Sequence, residues 1–380
     1  MSAIYLDYQA STPIDNRVID KMLPYMREHF GNPHSSEHSF GWESEKAVSL
    51  AYSQLSQYIG SFESEIVFTS GATESNNLAI IGTAYSALQK SIKKNVILVS
   101  EIEHKCVLGA ARFLKDKGFV VKKIPVKSDG VINIDELKSF IRPEVLLVSV
   151  MTTNNEIGTN QPIAEIGKLC RENDIIFHTD AAQGGYTNLD VVENNIDLMS
   201  LSSHKIYGPK GIGALFINND SILKPTPIIY GGGQQSGYRS GTIPTFLAVG
   251  FGEAADIMLK EKGEEIKKLE FLREKLINGL LSNIPEIKIN GNMNNRHPGN
   301  LNLLFPGVES KQLIYTLQPK IAFSTGSACT SGIIEPSHVL KSIGLSTEEA
   351  EHSARITVGR NTILDEINQA IDAITNVIKS

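Results

Sequence analysis

The sequence predicts an α/β protein built on a mostly parallel seven-stranded sheet, with a smaller α+β part attached. Three observations carry this. Seven short runs rich in β-branched and aliphatic residues (65–70, 95–100, 120–125, 145–150, 175–180, 198–202 and 213–217) alternate with stretches of helical character, the signature of βαβ units. Runs such as Val145-Leu146-Leu147-Val148 are apolar without alternation, as expected of parallel strands covered on both faces. The chain has 380 residues, too many for one compact core.

In chain order, the segments 74–88, 105–115 and 163–171 read as helices between strands. The glycine-rich stretch 229–242 reads as a loop, and 246 to about 282 as one long helix whose Lys/Glu alternation supplies i,i+4 pairs on a solvated face. Strands at 287–290 and 300–304 and a terminal helix at 365–378 follow. The expected division is a large domain at 15–257 and a small one made of 258–380 with 1–14, whose loop at about 322–335 carries Cys329.

Apolar residues make up 41% and charged residues 21%, a composition that excludes a disordered chain. The net charge is -6 and no Lys/Arg block is present, which argues against a nucleic-acid partner. The first twelve residues lack a basic start followed by an apolar run, so no secretory leader is expected. The apolar runs are too short to span a bilayer. Three cysteines, Cys106, Cys170 and Cys329, argue against a disulfide framework and for the reducing cytoplasm. No Cys/His group has zinc spacing, so no metal is expected.

Three features bear on chemistry. Ser70-Gly71-Ala72-Thr73-Glu74-Ser75 follows a β-run and opens a helix. Its backbone N–H groups and the Thr73 hydroxyl form an anion cradle at the positive end of the helix dipole. The same residues also suit an ordinary helix cap, and the spacing lacks the glycine fingerprint of dinucleotide binding. Asp180 ends a buried strand in Phe177-His178-Thr179-Asp180, at the edge where open α/β sheets bind ligands. Such a carboxylate can pair with a pyridinium nitrogen, or cap the segment that follows. Lys205 comes after an apolar strand and before a Gly/Pro turn in Ser203-His204-Lys205-Ile206-Tyr207-Gly208-Pro209. Most lysines are solvated surface charges, but partial burial lowers the amine's pKa and makes it a Schiff-base nucleophile.

The series of motifs resembles a known family. Gly71-Ala72-Thr73-Glu74-Ser75, Glu103-His104-Lys105, Asn154-Asn155-Glu156-Ile157-Gly158, Asp180-Ala181-Ala182-Gln183, Ser203-His204-Lys205, Arg239-Ser240-Gly241-Thr242 and Gly326-Ser327-Ala328-Cys329 look like those of cysteine desulfurases of the IscS/NifS type. These are class V, fold-type I pyridoxal 5'-phosphate (PLP) enzymes. The resemblance runs from Tyr5-Leu6-Asp7 to Val358-Gly359-Arg360. It implies that Lys205 holds the cofactor, Asp180 pairs with the ring nitrogen, Gln183 with the ring hydroxyl, and His104 stacks on the ring and moves protons. Ala72, Thr73, Ser202 and His204 would hold the phosphate. Thr242 would reach the phosphate of a neighbouring subunit's cofactor, making the assembly a homodimer. Asn155, which also lies by the cofactor, and Arg355 would receive the carboxylate of L-cysteine, and Cys329 its sulfur.

Cys329 lies among small polar residues, Ser324-Thr325-Gly326-Ser327-Ala328-Cys329-Thr330-Ser331-Gly332, which suits a mobile reactive thiol. Cys170 and Cys106 read instead as small buried hydrophobes, and His178 and His352 as structural. The expected sulfur acceptor is an iron–sulfur scaffold or a tRNA-thiolation protein; housekeeping members of the family carry a longer C-terminal tail that docks the scaffold, so the end at Ser380 puts that partner in doubt and leaves room for a dedicated one. Selenocysteine lysis and another class V activity are the nearest alternatives on the same fold. A nicotinamide oxidoreductase is disfavoured by the missing glycine fingerprint, and a non-catalytic sulfur-assembly scaffold by the complete cofactor set.

Overall fold

The computed structural model describes residues 3–325 and 336–379; Cys329 and its expected loop residues from 326 lie outside them. The chain begins with β1 (Ile4–Tyr5), α1 (Asn16–Arg27) and α2 (Ser39–Ile59). It then alternates: β2 (Ile66–Thr69), α3 (Ala72–Gln89), β3 (Val96–Ser100), α4 (Lys105–Lys115), β4 (Val120–Ile124), α5 (Ile134–Phe140), β5 (Val145–Ser149), α6 (Ile163–Arg171) and β6 (Ile176–Asp180). Next come β7 (Leu198–Ser202), β8 (Gly213–Ile217) and the long α7 (Thr245–Asn283). The remainder comprises β9 (Lys288–Ile289), β10 (Asn300–Leu304), α8 (Ser310–Leu317), β11 (Ile321–Ala322), α9 (His338–Ser342), α10 (Thr347–Glu351), β12 (Ser353–Thr357) and α11 (Leu364–Lys379).

The seven strands expected from the sequence form one sheet in the order β2-β8-β7-β6-β5-β3-β4. Only β8 runs against its neighbours. Strands β5, β6 and β7 are buried at every residue, which explains their unbroken apolar character. One core lies on the α2/α7 side, around Leu55, Phe177, Met199 and Phe251. The other lies under α3 and α4, around Leu78, Ile97, Val107 and Leu146. A separate core surrounds the three-stranded sheet β12-β10-β9 and takes in Leu276, Leu301, Ile356 and Ile374. The helix α7 belongs to two of these cores, through Ala248–Met258 and then Leu269–Leu280, so the boundary expected near 257 falls inside a continuous helix.

Helices α1 and α2 were not foreseen from the sequence. The helix α2 is rich in Ser, Gln and Tyr and shows a weak apolar stripe, yet Ala47, Val48, Ala51 and Leu55 bury it against the sheet core. The helix α3 lacks a stripe for a different reason: Ser75, Asn76, Leu78, Ala79, Ile80 and Thr83 are all buried, so it is covered nearly all round.

Parallel pairing sends the last residues of β2, β3, β5, β6 and β7 to one edge of the sheet. Gly213, the first residue of β8, lets the turn after β2 reach that edge. A Cβ at position 213 would come within 2.5 Å of the Leu201 carbonyl oxygen and 2.7 Å of the Gly71 Cα. Gly71 itself has φ 149°, a conformation open essentially to glycine. We predict that Gly213→Ala destabilises the protein by about 1–3 kcal/mol, the usual cost of overpacking, measured by urea unfolding; an unchanged midpoint would contradict the close approach.

Candidate active site

A cavity of about 680 Å³ opens at this strand edge. Its walls include Ala72, Thr73, His104, Asn155, Asp180, Gln183, and Ser202, His204, Lys205 and Arg355; these are all the expected site residues of the described chain except Thr242. Thr242 is exposed and does not line this cavity.

Lys205 follows β7 on a single helical turn. Its Nζ donates to the carbonyls of Gln9 (2.6 Å) and Ala10 (2.8 Å). Burial, reinforced by the charge of Arg355, lowers its pKa to about 8, because a buried ammonium loses hydration and a nearby cation opposes it. Asp180 ends β6, where Oδ1 accepts from the Ala182 N–H (2.9 Å) and Oδ2 from Asn76 Nδ2 (2.8 Å). Gln183 donates through Nε2 to the Gln9 carbonyl (2.8 Å). His204 Nδ1 lies 3.2 Å from Ser11 Oγ, and burial lowers its pKa to about 4, so the ring is neutral at physiological pH.

The helix α3 starts at this edge with Gly71 as its cap and no side chain capping the first turn. Its first N–H groups therefore remain for a ligand, as at other helix N-termini that bind phosphate. Glu74 is engaged elsewhere: it accepts from the Ser70 N–H (2.7 Å) and pairs with Arg239 (2.9 Å). The Arg239 ion pair ties the glycine-rich 229–242 loop to the turn that opens α3.

His104 caps α4 and is held neutral by burial, which lowers its pKa. Beneath it, Glu103 is fully buried and accepts from the Met151 N–H (2.6 Å). Burial, with the negative charge of Asp180, raises the Glu103 pKa well above its ordinary value.

Arg355 comes from β12. Its Nη1 donates to the Asn155 carbonyl (2.7 Å), and its Nη2 to Asp7 (2.6 Å) and Ser324 Oγ (3.2 Å). Its Nε is buried without a partner among the described residues. A guanidinium in this position presents a rigid fork to a carboxylate.

Cys106 packs partly against the core under α3 and α4, as expected, but it has a second face. It is a cavity-lining thiol of intermediate exposure, because the second residue of α4 projects toward the strand edge beside the capping His104. Its Sγ lies 2.9 Å from His104 Nδ1 and 3.1 Å from Asn76 Nδ2. Cys170 is buried, as expected. His178 is buried between Ser149 Oγ (2.8 Å) and Ser200 Oγ (3.1 Å), with its pKa lowered to about 3 by burial, consistent with a structural role. Asp7, Asn76 and Glu103 had not been singled out as site residues. Only Glu103 had a local signal, its place beside His104.

These residues fit a phosphate-bearing pyridine aldehyde: an amine with a lowered pKa, a strand-end carboxylate and an uncapped helix N-terminus share one cavity. Comparison with known proteins decides the family. The model of the aminotransferase class-V family matches residues 4–369. The chain belongs to the class-V aminotransferase family.

Its relatives include the cysteine desulfurase IscS of Rickettsia typhi, 50% identical over 376 residues, covering 99% of this chain and 91% of that one. The IscS of Rickettsia prowazekii is likewise 50% identical over 377 residues, with the same coverage. Among solved structures, a NifS-like protein is similar with a TM-score of 0.91 and 33% identity, covering 99% of both chains. A structure described as SspA in complex with cysteine gives 0.83 and 39%, covering 95% of this chain and all of that one. The chain has the fold of NifS-like PLP enzymes, and PLP is its cofactor.

Burial raises the Cys106 pKa to about 12 and pushes that of Cys170 higher still. We predict that iodoacetamide at neutral pH leaves both unmodified in the native protein and modifies both after unfolding. Native labelling of Cys106 as fast as a free thiol would show that its thiolate is accessible.

Proposed function

We propose that the protein is a PLP-dependent cysteine desulfurase that converts L-cysteine to L-alanine and takes the sulfur onto Cys329 as a persulfide. The observation that carries this reading is the pairing, in one cavity, of Lys205, whose pKa is about 8, with Arg355, which reaches the same cavity. The relatives named IscS and the cysteine-bound neighbour support cysteine as substrate.

Ala72, Thr73, Ser202 and His204 would hold the cofactor phosphate, and Gln183 would meet the ring hydroxyl. When bound, PLP supplies electron withdrawal that loosens the proton on the substrate Cα. Asp180 would keep a proton on the ring nitrogen. Arg355, with Asn155, receives the substrate carboxylate. Lys205 Nζ would remove the substrate Cα proton, and His104, which lines the same cavity, would handle a second proton.

Cys329 attacks the substrate sulfur as thiolate. An S–S bond forms and the C–S bond breaks with its electron pair left on carbon. That carbon takes a proton to become the alanine methyl, so the thiol is oxidised to a persulfide while carbon is reduced. Cys329 is suited to this attack by its small-residue sequence, and the raised pKa of Cys106 and Cys170 removes them from competition. A desulfurase, unlike an aminotransferase, has a use for such a thiol.

The assembly is a homodimer in which Thr242 serves the partner's cofactor, a reading supported by its exposure away from its own cavity. The persulfide passes to an iron–sulfur scaffold or a tRNA-thiolation acceptor. The cytoplasm suits an enzyme whose three cysteines work as thiols.

Alanine release from L-cysteine in the presence of a reducing thiol tests the function. We predict that Cys329→Ala keeps the bound-cofactor absorbance and loses at least about 100-fold in rate, as expected on removing a covalent nucleophile. Lys205→Ala loses turnover and the covalently held cofactor. Wild-type rates in either variant would contradict the assignments.

The lowered pKa of Lys205 gives a separate test. Near pH 8 half of Lys205 is neutral, whereas about one in three hundred ordinary lysines is. The rate at which apoprotein takes up PLP should therefore rise with pH and level off above about 8. A rate still climbing toward the ordinary lysine pKa would show that Lys205 is not buried as described.

A further inference from the structure

Cys106 has no part in the chemistry above, yet its sulfur links His104 through Asn76 to Asp180, the residue assigned to the ring nitrogen. Asn76 Nδ2 donates to Asp180 Oδ2 (2.8 Å) and to Cys106 Sγ (3.1 Å). Cys106 Sγ lies 2.9 Å from His104 Nδ1, which also accepts the Cys106 backbone N–H (3.3 Å). We propose that Asn76 and Cys106 form a hydrogen-bond relay that fixes His104 with its proton on Nε2, making Cys106 a positioning residue for the proton-handling histidine.

The polarity follows from the ends of the chain: the Cys106 backbone N–H donates to His104 Nδ1, so that nitrogen is an acceptor. A carboxylate oxygen accepts only, so Asn76 must turn its amino group toward Asp180. The second hydrogen of that amino group is left for sulfur. Asn76 Oδ1, on the other side, is buried with no partner among the described residues, which is the cost of this orientation. Cys106 then receives from Asn76 and, as a thiol, gives its own hydrogen to His104 Nδ1. With Nδ1 occupied twice as an acceptor, the imidazole proton resides on Nε2.

The reading of which residues flank the ring rests on the function proposed above, but the relay itself does not. Groups facing His104 include Asp180 from the end of β6, Lys205 from the turn after β7, His338 from α9, and Lys105 and Cys106 from α4. Burial and the cations lower the His104 pKa while Asp180 raises it. A hydrogen bond to Nδ1 stabilises the neutral ring, so the thiol adds to the lowering.

The test is nitrogen NMR of apoprotein labelled at histidine, with the His104 signal assigned by its loss in His104→Gln. Wild type is expected to show the Nε2–H form when neutral. Cys106→Ala should raise the His104 pKa by about 0.5 to 1 unit, the range an ordinary neutral hydrogen bond supports. Cys106→Ser, which keeps a donor, should titrate with the wild type. In the holoenzyme, the acid limb of kcat/KM for cysteine should move upward by the same amount in Cys106→Ala only.

An Nδ1–H form in the wild type, an unshifted Cys106→Ala, or equal shifts in both variants would overturn the relay. If the apoprotein titrates as expected but the PLP-loaded enzyme does not consume cysteine, the proposed function fails and the relay stands.

Discussion

Parallel strands all finish at the same edge of their sheet, and the candidate site is a consequence of that constraint. The turn after β2 brings the uncapped helix N-terminus, β3 leads to Glu103 and His104, and β5 to Asn155. Asp180 is the last residue of β6, and Lys205 follows β7 by three residues. Because the strands are buried on both faces, these groups stand on a rigid frame. Their burial is also what adjusts them: it lowers the pKa of Lys205 and of His204 and raises that of Glu103.

The frame supplies one half of the site, and the chain termini supply the other. Asp7, near the N-terminus, and Arg355, near the C-terminus, meet at 2.6 Å. Arg355 is buried, so its ion pair with Asp7 keeps a desolvated guanidinium neutralised. The same guanidinium is bonded to the carbonyl of Asn155, which joins the strand edge to the β12 side of the cavity.

The strands and the Lys205 and Asp180 positions were legible because they depend on local pattern. An unbroken apolar run followed by a polar residue places that residue at a strand end. The resemblance to the desulfurases added His104, Gln183 and Arg355, all of which line the cavity. What depends on distant partners was not legible. Asp7 gains its meaning from Arg355, 348 residues away, and Asn76 from Asp180, 104 residues away. Cys106 sits in an apolar helical run and reads as a core residue; only the cap geometry of α4 turns its sulfur toward His104. The helix α2 was missed because its burial is set by packing against α7 and the sheet rather than by its own periodicity.

Two thiols now need to be told apart: Cys106, fixed in the cavity wall as a hydrogen-bonding group, and Cys329, assigned as sulfur acceptor. Mass spectrometry of peptides after brief exposure to L-cysteine, without reductant, distinguishes them directly. The account predicts a gain of one sulfur atom on the Cys329 peptide and none on those of Cys106 or Cys170. Sulfur on Cys106, or sulfide released with no thiol of the protein ever modified, would contradict it.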